Sequence, residues 1–104
     1  MSSIVSRAET HAADVIQAWT ARGLINAGIT FKAFLASIPD RGSDVTRADL
    51  RDIAAIAEKV IVHIDARIDR QGDSHEIQLE FASLIYRIRA RIEELTRWGR
   101  HLPG

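Results

Sequence analysis

The stretch from Thr46 to Arg70, TRADLRDIAAIAEKVIVHIDARIDR, constrains the fold more than any other part of the chain. Leu50, Ile53, Ala54, Ala57, Val60, Ile61, Ile64 and Ile68 follow the i, i+3, i+4, i+7 rule of a helix face. At helical spacing they cover an arc of roughly 120°, wide enough to face a core, and Ile56 broadens it on one side. Thr46 is placed to cap the first turn, with Asp49 three residues on and Val45 and Leu50 spaced as a hydrophobic staple. Gly72 closes the helix. A long helix with a single apolar stripe has to bury it against other elements, so a packed helical domain follows.

The flanking segments read as helices too. The first is expected over residues 3–22, started by Ser2 or Ser3 or by the Ser6/Glu9 capping-box pair, and ended by Gly23. Its shared face is Ala8, Ala12, Val15, Ile16 and Trp19. Residues 23–28, apolar but bracketed by glycines, read as a buried turn or a kinked continuation. Thr30 then caps a short helix carrying Phe31, Phe34, Leu35 and Ile38, with Ile29 and Phe34 as its staple and Pro39 as its stop. Asp40 to Asp44 is a polar turn. After Gln71-Gly72-Asp73, the spacing of Asp73 and Glu76 predicts the cap of a last helix running to about Trp98. Its core stripe is Ile77, Phe81, Leu84, Ile85, Ile88, Ile92 and Leu95. No stretch alternates with period two for long enough to be a strand. The expectation is one all-α domain over residues 1–104, an antiparallel bundle of three long helices and one short one, dimeric. The alternative is a dimerising hairpin of the last two helices with the first two as a cover.

Composition narrows the function. The 104 residues carry 14 acidic and 14 basic side chains, so no global field marks a dedicated nucleic-acid or membrane-surface binder. The charges are nonetheless uneven: residues 40–80 hold ten acids against six bases, and residues 81–104 hold five bases against two acids. Cysteine is absent, which removes disulfides and thiolate metal sites. The first residues lack a signal-like apolar run, and nothing approaches a span of about 20 apolar residues, so a cytoplasmic protein is expected.

The four histidines, His11, His63, His75 and His101, form no His-x-x-x-His, Glu-x-x-His or His-x-x-x-Glu pair, the spacings that put two metal ligands on one helix face. No metal and no cofactor is expected. Asp73-Ser74-His75-Glu76 resembles the start of the phospho-acceptor box of sensor histidine kinases over four residues. The helix is only beginning there, and Leu79 and Glu80 stand where that box has a proline, so these residues read as a polar first turn. His63, one turn after Lys59, supports an alternative as a histidine-phosphotransfer module. Arg87 and Arg91, one turn apart in an arginine-rich end, are a weak anion clamp and carry a second alternative, nucleic-acid binding. Glu93 and Glu94 interrupt that run, and only Tyr86 and Trp98 are available for base stacking. No glycine-rich phosphate loop, nucleophile elbow or catalytic triad signature occurs, so no catalytic residue is assigned and the chain is read as a non-enzyme.

The last helix carries a second stripe. Leu79, Ser83, Tyr86 and Ala90 recur at i, i+4, i+7 and i+11, roughly opposite Ile77, Ile88 and Leu95. Ala55, Val62 and Ala66 repeat this weakly on the preceding helix. A bundle helix needs one apolar face, so a second one is either covered by the first two helices or made for contact. The reading that follows is a protein acting through protein–protein contacts as an adaptor, regulator or accessory subunit. It meets a second copy of itself, another protein, or both, through Leu79, Ser83, Tyr86 and Ala90.

Overall fold

The computed structural model describes residues 3–38, 45–70 and 72–102. They form four helices and no strand: α1 (Ser3–Gln17), α2 (Ala21–Ala36), α3 (Arg47–Arg70) and α4 (His75–Gly99). The expected stop at Pro39, the polar turn over 40–44, and Ser2 and Gln71 lie outside the described residues.

The first half of the chain divides differently from expectation. The break falls at residues 18–20 rather than 23–30, so α2 has 16 residues and is not the short helix anticipated. Thr20 is the cause. Its extended backbone leaves α1, and its hydroxyl accepts a hydrogen bond from the Gly23 N–H at 3.0 Å, which starts α2. Gly23 belongs to that cap: a Cβ there would lie 2.8 Å from the Thr20 hydroxyl oxygen. Gly28 is internal to α2, and its bare Cα admits Leu84 of α4, whose Cδ1 would stand 2.8 Å from an added Cβ. Thr30 is no cap either, because its hydroxyl donates back to the Asn26 carbonyl inside the helix. Ile29, its expected staple residue, is exposed. The new break also exposes Ile16 and leaves Trp19 84 % exposed, so neither joins the core face predicted for α1.

The second half follows expectation closely. The Thr46 hydroxyl accepts from the Asp49 N–H, and the Asp49 carboxylate accepts from the Thr46 N–H, both at 3.1 Å, a complete capping box at the start of α3. Val45 and Leu50 are both buried, as a staple requires. At α4 the cap is Ser74, which accepts from the Ile77 N–H, and not Asp73. Asp73 is drawn away by Arg67, which meets its two carboxylate oxygens at 2.9 and 3.2 Å.

Each helix packs on two others: α1 on α2 and α3, α4 on α2 and α3. The short connections make α1/α2 and α3/α4 antiparallel pairs. Between the pairs the helices run parallel. Arg22 meets Glu80 where α2 and α4 both begin, and Arg67 donates to the Trp19 carbonyl near the ends of α1 and α3. The core between them is one cluster with Phe31 and Phe81 fully buried at its centre, ringed by Val15, Leu35, Ile53, Ile64 and Ile88. No side chain of a polar or charged residue is fully buried among the described residues.

Three arginines tie the ends of the bundle. Arg91 donates to the Leu35 and Ile38 carbonyls at the end of α2, both at 3.0 Å. Arg47 donates to the Gly99 and Arg100 carbonyls at the end of α4, at 3.1 and 2.8 Å. Arg67 holds the α1–α2 connection while pairing with Asp73. The last carbonyls of a helix lack partners within it, and a guanidinium fork from a neighbouring helix supplies two donors at once.

Candidate functional site

Helix geometry decides what α4 presents. Phe81, Leu84, Ile85, Ile88 and Leu95 point into the core, Leu84 and Arg91 lean toward α2, and Gly99 leans toward α3, where an added Cβ would meet Leu50 at 2.9 Å. The opposite side is free of other helices. Leu79 is 57 % exposed and Tyr86 75 % exposed, Ser83 is exposed and Ala90 is half-buried. Neither α1 nor α2 covers Leu79 or Tyr86, which removes cover from within the chain as the reason for this stripe. Beside it runs a shallow groove of about 360 Å³ whose walls include Ala82, Tyr86, Arg89, Ala90 and Glu93.

The neighbouring helix extends this surface. Val62 is 58 % exposed, and Ala55 and Ala66 are exposed too. Val62 lies three turns beyond Arg51, roughly the same rotational position at 3.6 residues per turn, and Arg51 borders α4. Leu50 packs level with Gly99, and Arg67 with Asp73, so Val62 stands level with the span from Leu79 to Tyr86. Two exposed large apolar side chains on α4 and one on α3 therefore share the outer α3–α4 face. The exposed Val62 was visible in the sequence only as a weak echo, because one valine between two alanines makes little stripe.

The arginines of the anticipated anion clamp are kept apart by their partners. Arg91 is turned toward α2 and occupied by two carbonyls, with the Glu94 carboxylate 3.8 Å away. Arg87 is exposed and donates to Ser83 at 3.4 Å.

The histidines are also separate. His11 lies against Phe34, ring centroids 5.0 Å apart, with its Nδ1 buried and without a hydrogen-bond partner among the described residues. His75 opens α4 and is exposed, as a polar first turn requires. His101 is exposed beyond α4. His63 is half-buried on α3, and burial pushes its pKa below the ordinary histidine value, helped by the positive charges of Arg70 and Arg67. Among the described residues no three metal-ligating side chains gather, and no helix is long and apolar enough to cross a membrane. The Arg67–Asp73 pair is the tightest charge pair among the described residues, and its hydrogen bonds hold the Asp73 carboxyl below the usual carboxylate range. It links α3 to the start of α4 and is structural.

Compared with known protein families, curated proteins and solved structures, the chain matches none.

Proposed function

We propose that this chain is a non-catalytic contact module that self-associates through the outer face of α4, and that it serves as an adaptor, regulator or accessory subunit. The observation that carries this reading is the exposure of Leu79 and Tyr86 on the side of α4 away from the core. Two large apolar side chains separated by about two turns form a ridge of the kind that packs between helices. Ser83 and Ala90 between and beyond them are small and permit close approach. Tyr86 suits a contact surface, since its ring can be covered while its hydroxyl stays at the wet rim. Val62 supports the reading by widening the apolar area toward α3. A two-fold contact is the economical form, because one self-complementary patch serves both copies.

The test replaces Leu79 with glutamate and Tyr86 with lysine in one chain. Both side chains are exposed and neither belongs to the core cluster, so circular dichroism should be retained. The mass from light scattering should fall from dimer to monomer. An unchanged mass for this variant would place any association elsewhere and overturn the reading.

A further inference from the structure

A second surface, independent of the α4 stripe, lies where the beginning of α3 meets the end of α4. It is an open groove of about 580 Å³. Leu50, Ala54 and Gly99 form its apolar floor, and Arg47, Arg51 and Arg100 stand around it, with no acidic residue in the lining among the described residues. A smaller hollow continues past Thr96 and Arg100 to Arg97, with Ile92 and Glu93 also in its lining. In a chain of zero net charge this is a local excess of cations. Among the described residues the fold does not consume this excess. Arg47 is engaged with two α4 carbonyls, but the side chains of Arg51 and Arg100 have no partner among the described residues. The nearby carboxylate of Asp49 is engaged by the Thr46 N–H.

We propose that this groove binds a small amphiphilic anion, a carboxylate on an apolar chain. Arg51 and Arg100 hold the carboxylate, and Leu50, Ala54 and Gly99 receive the apolar part. Three properties select this class. The volume falls within the range of small-ligand sites, roughly 300–1,000 Å³. A guanidinium fork matches a carboxylate in two hydrogen bonds. The floor is apolar, so a bare inorganic anion would leave it unsatisfied, and among the described residues no aromatic ring lines it to stack a nucleic-acid base. The close packing of Gly99 on Leu50 shapes the floor, since a Cβ at 99 would lie 2.9 Å from Leu50 Cδ1 and shift that side chain.

The test is calorimetric titration of the full chain with decanoate below its micellar concentration, with decanol as the uncharged control. Saturable binding at one site per chain is expected, with decanol at least tenfold weaker. Arg51→Gln with Arg100→Gln should weaken decanoate at least tenfold while the thermal melt stays unchanged, because both side chains are exposed. Ala54→Phe, which fills the floor, should abolish binding. Absence of saturation, or binding indifferent to both variants, would overturn the proposal. So would a loss of oligomer mass in the double arginine variant, which would give the groove to carboxylates of a second copy. The stripe variant at Leu79 and Tyr86 should bind decanoate normally, so failure of one reading is distinguishable from failure of the other.

Discussion

Replacing Arg91 with glutamine should cost far more than replacing Arg87, although both are arginines on the same helix one turn apart. Arg91 donates two hydrogen bonds at 3.0 Å to the carbonyls of Leu35 and Ile38, and its side chain is only 18 % exposed. A hydrogen bond from a charged group contributes about 1.5–3 kcal/mol net. The low end applies here. Leu35 O keeps a second donor, the Ile38 N–H at 3.3 Å, and water can reach a helix end. The expected loss for Arg91→Gln is therefore about 2–3 kcal/mol. At about 4–8 °C per kcal/mol in a domain of this size, the midpoint should fall by roughly 8–24 °C. Arg87 makes one exposed 3.4 Å contact to Ser83, so Arg87→Gln should stay within about 0.5 kcal/mol. Arg91→Lys keeps the charge but cannot fork between two carbonyls, and should fall between the two. Urea unfolding followed by circular dichroism measures all three, with the slope of the transition checking that the unfolded states are comparable. If Arg91→Gln and Arg87→Gln agree within about 0.5 kcal/mol, the arginine is not holding the end of α2 and the reasoning fails.

Two further perturbations test the packing and the charge state. The folded pKa of His63 is lowered, so the unfolded chain takes up the proton first, and stability present above about pH 6.5 is lost as pH falls through the folded value. His63→Gln should flatten stability as pH falls below about 6.5, and an unchanged slope would show that His63 is not the group responsible. Asp73 has the same sign but acts lower, below about pH 4, so its loss is separable. Gly28→Val should destabilise by about 1–3 kcal/mol, because its Cβ would stand 2.8 Å from Leu84 Cδ1 in a packed interface. Gly72→Ala, with nothing within 4 Å, is the control and should stay within about 0.5 kcal/mol in the same urea experiment.

The half of the chain that was legible from sequence is the half with strong local signals. At Thr46 the capping box, the staple and the apolar period all agree, and α3 forms as they require. At Thr20 the signals disagree. Trp19 and Ile16 continue the apolar pattern of α1, and two glycines downstream look like terminators, yet one hydroxyl capping the Gly23 N–H sets the break. Gly28 looks like a turn residue from sequence alone, and only the approach of Leu84 reveals it as a packing residue. The arginine forks were not legible at all. Arg47 reaches 52 residues along the chain to Gly99, and Arg91 reaches 56 back to Leu35, and such pairings depend on which helix ends come together. The α4 stripe was legible because four positions repeat with the helix period. The groove at Arg47, Arg51 and Arg100 was not, since its residues come from the start of α3 and the end of α4, far apart in sequence and brought together only when the two helices pack antiparallel.

The most direct test of self-association through α4 is the mass of the wild-type chain in solution at about 100 µM, far above the dissociation constants of stable dimers. Sedimentation equilibrium should give twice the 11.6 kDa chain mass. A single species of 11.6 kDa at that concentration would contradict it.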